Sequence, residues 1–316
     1  MEFGIGRATS YQELVDDARW AEQNGFRAVC VSDHFLRAGG EDPERAKVLS
    51  ASDPFVHLAG LARETESIEL VLTVASVTFR HPAVVLKSAI DLDLMSNGRF
   101  VLGVGTGYRE SEHDIFGVPF PDLTQRYEML ENYLGYLRAG LSVPNLGYGG
   151  KYYELKEHPI CPAPTGRVRL IVGGEGPRRT PGVAGHYADE YNIFPMGGDD
   201  MRKRIERARA ACKEWGRDPD LLALSSGGPI ISGPTWKEYR EALAESASRA
   251  RVDVDELEKD HHEHGRLIGT FDEVAARLQD FADAGIARFY IGFEGEGAMD
   301  RERLLSMISA IAPQTP

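Results

Sequence analysis

Residues 68–107 read IELVLTVASVTFRHPAVVLKSAIDLDLMSNGRFVLGVGTG, and this stretch decides the fold. Ile68–Val74 is a short apolar run rich in β-branched residues, which reads as a strand. Pro82–Met95 carries apolar residues at helical spacing, with a proline where a helix tolerates one, at its start. Asn97-Gly98 then supplies the two residue types that best end a helix in left-handed backbone. Phe100–Val104 is a second strand, running into Gly103-Val104-Gly105-Thr106-Gly107. Strand, helix and strand in close succession make one βαβ unit, whose strands lie parallel.

The same alternation continues in both directions. Upstream, Phe3–Gly6 is short and apolar. Leu14, Ala18 and Ala21 mark one face of a helix that stops at Asn24-Gly25. Phe26–Val31 is a strand, and Asp53–Arg63 a helix with Asp53 as N-cap and Pro54 at its first position. Downstream, a helix over Thr124–Ala139 precedes an irregular stretch, Gly140–Gly166. Then follow a strand at Val168–Val172, a short helix at Pro177–Gly185 and a strand at Ala188–Phe194. A helix at Met201–Trp215 carries its Arg and Lys on the outer face. A strand at Leu221–Ser225, a polar helical region from Trp236 to about Glu258 and a helix at Phe271–Ala284 lead to a strand at Arg288–Phe293 and a last helix at Arg301–Ile311. About eight βα units with no Pro/Ser linker predict an α/β fold. Closure into a (β/α)8 TIM barrel is expected, with a doubly wound open sheet as the alternative. The chain's 316 residues, 42% of them hydrophobic, suit one such barrel with an insertion. Residues 140–166 are too long for an ordinary connection, and the expectation is a partial lid over the barrel mouth.

Composition narrows the function. A formal net charge of −13 argues against sequence-independent nucleic-acid binding. No apolar run is long enough for a membrane span, and Met1–Gly6 does not open like a secretory signal, so a cytoplasmic location is expected. Cys30, Cys161 and Cys212 have no metal or disulfide spacing and read as buried thiols.

In a barrel of this kind chemistry collects at the C-terminal ends of the strands. The residues that follow each predicted strand are therefore the candidates. Ser32-Asp33-His34-Phe35 follows the second strand: His34 can exchange a proton near neutral pH, and Asp33 could orient it or bind ligand hydroxyls. The plainer reading is a cap beside a surface histidine. After the third strand, Thr73, Val74 and Ala75 are small or β-branched residues past which a flat ring could approach the backbone. Arg80 and His81 could contact an anion, although His81 could equally cap the helix that Pro82 begins. Gly105-Thr106-Gly107-Tyr108 and Gly173-Gly174-Glu175-Gly176 follow the fourth and fifth strands. Each could leave N–H groups free as an anion nest. Pro177 would open the helix after the second turn, and Arg178 and Arg179 add positive charge beside it. Two such turns could grip one phosphate between them. Neither has Walker A or Rossmann spacing. His261-His262-Glu263-His264 lacks zinc-protease spacing and reads as a polar loop near the mouth, so no metal is expected.

Several of these segments together resemble the core of the bacterial luciferase-like monooxygenase superfamily. They are Arg80-His81-Pro82-Ala83-Val84, Leu94–Phe100, Gly103–Gly107, Ile171–Gly174, Ala188–Asn192 and Gly269–Val274. They occur in the family's order over nearly the whole chain, which implies one barrel domain spanning 1–316. Ser32–Phe35 is similar to the branch that uses coenzyme F420, a deazaflavin. That resemblance implies His34 as the proton-exchanging residue and Asp33 as a contact to the ring. It also implies a non-proline cis peptide at Thr73-Val74, or one residue later, behind the ring. The two glycine turns would hold the cofactor phosphate. One departure stands out: F420-dependent sugar dehydrogenases carry Glu directly after Gly-Thr-Gly, where this chain has Tyr108. The aromatic residues Tyr148, Tyr152 and Tyr153 hint at a bulky or apolar substrate. The expected activity is hydride transfer between F420 and an organic substrate. The alternatives are an FMN-dependent monooxygenase supplied by a flavin reductase, and a non-catalytic flavin or deazaflavin carrier. Relatives in this family are often homodimers.

Overall fold

The computed structural model describes residues 1–6, 10–37, 40–46, 51–292 and 300–311. The strands are β1 (Glu2–Gly6), β2 (Ala28–Val31), β3 (Glu69–Ser76), β4 (Phe100–Gly105), β5 (Tyr148–Gly149), β6 (Glu154–Leu155), β7 (Arg169–Gly173), β8 (Glu190–Ile193), β9 (Ala223–Gly233), β10 (Leu267–Thr270) and β11 (Arg288–Gly292). The helices are α1 (Tyr11–Gln23), α2 (Pro43–Ala46), α3 (Pro54–Glu64), α4 (Pro82–Ser96), α5 (Glu110–Phe116), α6 (Leu123–Leu141), α7 (Arg179–Tyr187), α8 (Gly198–Glu214), α9 (Trp236–Ala250), α10 (Val254–Glu263), α11 (Phe271–Asp283) and α12 (Arg301–Ile311).

Eight strands pair in parallel in the cyclic order β1-β2-β3-β4-β7-β8-β9-β11, and β11 returns to β1 with Gly4 opposite Tyr290. The sheet is therefore a closed TIM barrel, and the open-sheet alternative falls. Local chemistry sets the helix boundaries. Ser10 and Glu13 form a capping box on α1, as Thr270 and Glu273 do on α11. Asp53 caps α3 by accepting from the N–H groups of Phe55 and Val56. At the end of α4, Asn97 takes φ 57° and Gly98 φ 81°, and both N–H groups return to the Asp93 carbonyl.

The barrel interior is filled by Ala28, Cys30, Val71, Val101, Ile171 and Tyr290. Burial pushes the Cys30 thiol up to about 12, so it is an inert core residue. Cys212 is also buried, whereas Cys161 is exposed, against expectation. At the floor, five strands begin with a charged residue: Glu2, Glu69, Arg169, Glu190 and Arg288. Arg288 bonds Glu2 at 2.6 Å and Glu69 at 2.8 Å, and Arg169 and Arg27 each meet Glu69 at 2.7 Å. Tyr290 donates to Glu190 at 2.9 Å. These charges close the end of the barrel opposite the expected chemistry.

Several elements differ from the sequence reading. β9 runs to Gly233, and its far half leaves the barrel to pair with β10, with Leu267 opposite Ile230. Residues 142–168 include a small antiparallel hairpin, β5–β6. Its contacts run along the flank of the barrel, so it is a strap where a lid was expected. Tyr152 donates to Glu128 on α6, Lys87 on α4 donates to the Cys161 carbonyl, and Thr165 bonds Asp93. Tyr148 fills the space left by Gly135 on α6, and Tyr153 lies edge-on to His81 and Tyr133. These tyrosines are packing groups on the flank. α7 begins at Arg179 rather than at Pro177, which precedes it. His261 and His262 lie in the last turn of α10 and His264 caps it, so this cluster is helical rather than a loop. Phe293 lies outside the described residues.

Candidate active site

The C-terminal ends of β2 and β3 bring Asp33 and Arg80 together, and α5, which follows β4, brings Glu112 to His34. Asp33 is buried, and its Oδ2 accepts from the Ser76 N–H at 3.2 Å and from Arg80 at 2.6 Å. Arg80 also bridges to Asp53, the α3 cap, at 2.6 Å and lies over the Phe55 ring. Burial pushes the Asp33 carboxyl up, and the Arg80 guanidinium opposes that shift. The other oxygen, Oδ1, is buried without a hydrogen-bond partner among the described residues. A lone acceptor of this kind is costly unless something donates to it.

His34 is half-buried. Its Nδ1 lies 2.9 Å from Glu112 Oε2. Glu112 was missed in the sequence, because it lies on α5, past the residues that directly follow the strand. It is buried, and its Oε1 accepts from the Leu36 N–H at 2.9 Å and from Arg109 at 3.3 Å. Burial alone would raise this carboxyl, but the His34 hydrogen bond and charge and the Leu36 N–H hold it below the usual carboxylate range. An anionic acceptor at Nδ1 keeps a proton there and leaves Nε2 as the exchanging atom. Tyr108 lies edge-on to the His34 ring at 5.5 Å.

At the end of β3, the Thr73–Val74 peptide is cis, at the position the resemblance implied. The β3–β4 register slips there, between Leu72 and Ala75, and Ala75 is buried opposite Val104. The Val74 side chain points at three glycines. A Cβ on Gly103, Gly105 or Gly173 would stand 2.8, 2.7 or 3.0 Å from a Val74 methyl carbon. Gly105 and Gly173, expected to bind a phosphate, are thus strand residues that make room for Val74.

The turns proper follow them. Gly107 has φ 74° and Gly174 φ 148°, conformations that favour glycine, and a Cβ at Gly176 would strike the Tyr127 hydroxyl. The N–H groups of Thr106, Gly107 and Tyr108, and of Gly174, Glu175 and Gly176, donate to no acceptor among the described residues. Carbonyls on the outer side are clamped instead: Arg126 donates to the Gly107 carbonyl, Arg204 to that of Glu175 and Arg207 to that of Pro177. The two turns leave neighbouring strands. Arg178 is exposed, and Arg179 lies over the Tyr127 ring. His81 takes the capping role: its Nδ1 accepts from the Ala83 N–H at 3.1 Å. Among the described residues no group of His, Cys, Asp and Glu could hold a metal ion. No described helix is long and apolar enough to cross a membrane.

The fold and this site define a flavin- or deazaflavin-type barrel oxidoreductase, and the comparisons with known proteins give the family. Residues 3–288 match the luciferase-like monooxygenase family, and the chain belongs to it. It is 27% identical to an F420-dependent glucose-6-phosphate dehydrogenase of Amycolatopsis mediterranei, over 94% of this chain and 92% of that one. It is also 27% identical to the pyrimidine monooxygenase RutA of Allorhizobium ampelinum, over 73% and 70%. Among solved structures, an F420-dependent secondary alcohol dehydrogenase bound to an F420–acetone adduct superposes with a TM-score of 0.80 at 20% identity, covering 98% of both chains. The chain is an oxidoreductase, and its relatives include F420-dependent dehydrogenases and monooxygenases.

Proposed function

We propose that the chain transfers hydride between a deazaflavin of the coenzyme F420 type and an organic substrate, with His34 exchanging the proton. The observation that carries this reading is the buried Glu112 carboxylate on His34 Nδ1. A histidine fixed in one tautomer, with its other nitrogen unbonded among the described residues, is built to move a proton. The F420-dependent relatives support the choice of carrier.

The residues fit such a group. Asp33 Oδ1, buried and without a donor, suits a ring N–H. Thr73, Val74 and Ala75 would back the ring. The free N–H groups of residues 106–108 and 174–176 suit a phosphate. When bound, the deazaflavin would supply the hydride acceptor or donor. Arg80 holds Asp33 in place, Glu112 holds His34, and His34 Nε2 takes the proton from a substrate hydroxyl or returns it to a carbonyl.

The test pairs binding with turnover. His34→Ala should bind the oxidised deazaflavin as the wild type does and lose its reduction by an alcohol. Unchanged turnover in His34→Ala removes His34 from the mechanism. The pyrimidine monooxygenase relative favours a second reading, an FMN-dependent monooxygenase fed by a separate reductase. Oxygen consumption with reduced FMN would support it, and none, with tight deazaflavin binding, would exclude it.

A further inference from the structure

Beside His34 the wall of the mouth is apolar and open. Tyr108 is 70% exposed although its ring meets the His34 ring edge-on. Ile115 and Phe116 on α5 are 55% and 53% exposed. Phe116 lies edge-on to Phe35 at 4.9 Å, and Phe35 stacks on Phe79 at 4.1 Å. Glu112 and Phe116 are one helical turn apart, so the turn that orients His34 also presents this ledge. Exposed apolar side chains beside a proton-exchanging group suit a binding wall.

The guanidinium groups of Arg80, Arg109 and Arg126 on this wall are committed. Arg80 serves Asp33 and Asp53. Arg109 serves Glu112 and the Leu36 carbonyl and reaches the Tyr108 hydroxyl at 3.3 Å. Arg126 serves the carbonyls of Gly107 and Pro121. A phosphate set here would meet the Asp33 and Glu112 carboxylates with no uncommitted guanidinium among these three. Arg266 has no acceptor among the described residues, but it lies over Phe194 beyond β8. In the strand order β8 stands across the barrel from β2.

We infer that the substrate is a neutral, apolar alcohol or carbonyl compound. Its body lies on the Tyr108–Ile115–Phe116 ledge and its reacting oxygen meets His34 Nε2. The Asp33 and Glu112 carboxylates beside His34 oppose the charge of a sugar phosphate. The inference rests on the hydride-transfer reading above. In the oxidising direction the alcohol O–H proton passes to His34 and the carbinol C–H hydride passes to the oxidised deazaflavin. The products are a ketone or aldehyde and the reduced deazaflavin, and the reverse reaction returns both.

The experiment uses the full chain loaded with deazaflavin, with binding of the carrier measured first. Failure of the carrier to bind overturns the hydride-transfer reading and this inference with it. With the carrier bound, 1-phenylethanol and cyclohexanol should reduce it and glucose 6-phosphate should not. Tyr108→Ala keeps the main-chain N–H that faces the phosphate and removes only the ring; it should raise the KM for 1-phenylethanol about tenfold, the scale of a lost aromatic contact, with the carrier's Kd moved far less. Tyr108→Phe should restore the wild-type KM. Glucose 6-phosphate turnover equal to or above that of the alcohols overturns the inference. So does a Tyr108→Ala effect confined to carrier binding, or the absence of both turnover and spectral perturbation with every apolar compound.

Discussion

Val74 and the glycines around it allow a quantitative test of how the barrel makes room for its site. Gly105→Ala would place a Cβ 2.7 Å from Val74 Cγ2 and 3.2 Å from the Gly173 carbonyl oxygen. The first contact is well inside van der Waals range, and overpacking of this kind costs about 1–3 kcal/mol. Val74→Ala removes both methyl carbons at a cost of about 1–2 kcal/mol for two partly buried groups. In the double variant the new Cβ faces Val74 Cβ at 3.8 Å, an ordinary contact, and keeps the tight 3.2 Å approach to the Gly173 carbonyl oxygen. The part of the Gly105→Ala penalty that comes from Val74 should therefore be relieved, and the double variant should be more stable than the sum of the singles by about 1 kcal/mol. Gly103→Ala is the control. Its Cβ would run into the Leu72 carbonyl oxygen, which trimming Val74 does not move, so that variant should stay destabilised in the Val74→Ala background. The assay is the denaturant midpoint of each variant at unchanged m. Additivity at Gly105 within about 0.5 kcal/mol, the usual limit for independent sites, would refute the account of why glycine stands there.

Four further outcomes follow from the same structure. Arg288→Met at the barrel floor leaves Glu69 and Glu190 without their buried cation and should cost about 3–5 kcal/mol in chemical denaturation; a loss under 1 kcal/mol would contradict the floor network. Burial would raise the Glu69 carboxyl, but Arg288, Arg169 and Arg27 outweigh it and hold it lowered. Its stabilisation is complete above the unfolded glutamate value of about 4.3 and is lost as pH falls through the lower folded value. Wild type should therefore lose stability in that acid window more steeply than Arg288→Met, and parallel profiles would contradict this. Glu112→Gln removes the anion that selects the His34 tautomer. Imidazole 15N shifts should report a single Nδ1–H form in wild type and a mixture in the variant, with turnover falling about 10-fold to 100-fold, as expected for losing a hydrogen bond to a charged group. An unchanged tautomer would show that Glu112 does not position the ring. His81→Ala should cost about 1 kcal/mol, the worth of an N-cap, with deazaflavin affinity unchanged; a fall in affinity would return His81 to the site.

Most of the barrel was legible because its strands and helices obey local rules. Pro82 with Asn97-Gly98, and Asp53 with Pro54, mark their helices chemically, and the structure follows those marks closely. The rest was hidden for identifiable reasons. The second half of β9 reads as a break, because Gly227-Gly228-Pro229 interrupts its apolar pattern; in the structure a Cβ at Gly227 would crowd the Tyr290 backbone. α5 is short and mostly charged, so no apolar stripe announces it, and nothing in one dimension separates the buried Glu112 from the exposed Glu110 beside it. The glycines after β4 and β7 were seen as one kind of feature but divide into two: Gly105 and Gly173 clear Val74, while Gly107 and Gly174 take left-handed backbone. That division depends on a neighbour from another strand, which no local pattern carries. The tyrosines of the strap, a hint of a bulky or apolar substrate in the sequence, pack on the flank; the aromatic ring that meets His34 is that of Tyr108.

Equilibrium binding of the deazaflavin and of FMN to the protein, followed by fluorescence, tests the central claim most directly. The account predicts micromolar or tighter binding of the deazaflavin and much weaker binding of FMN. Tight FMN binding with weak deazaflavin binding would contradict it and assign the chain to the oxygen-using branch of its family.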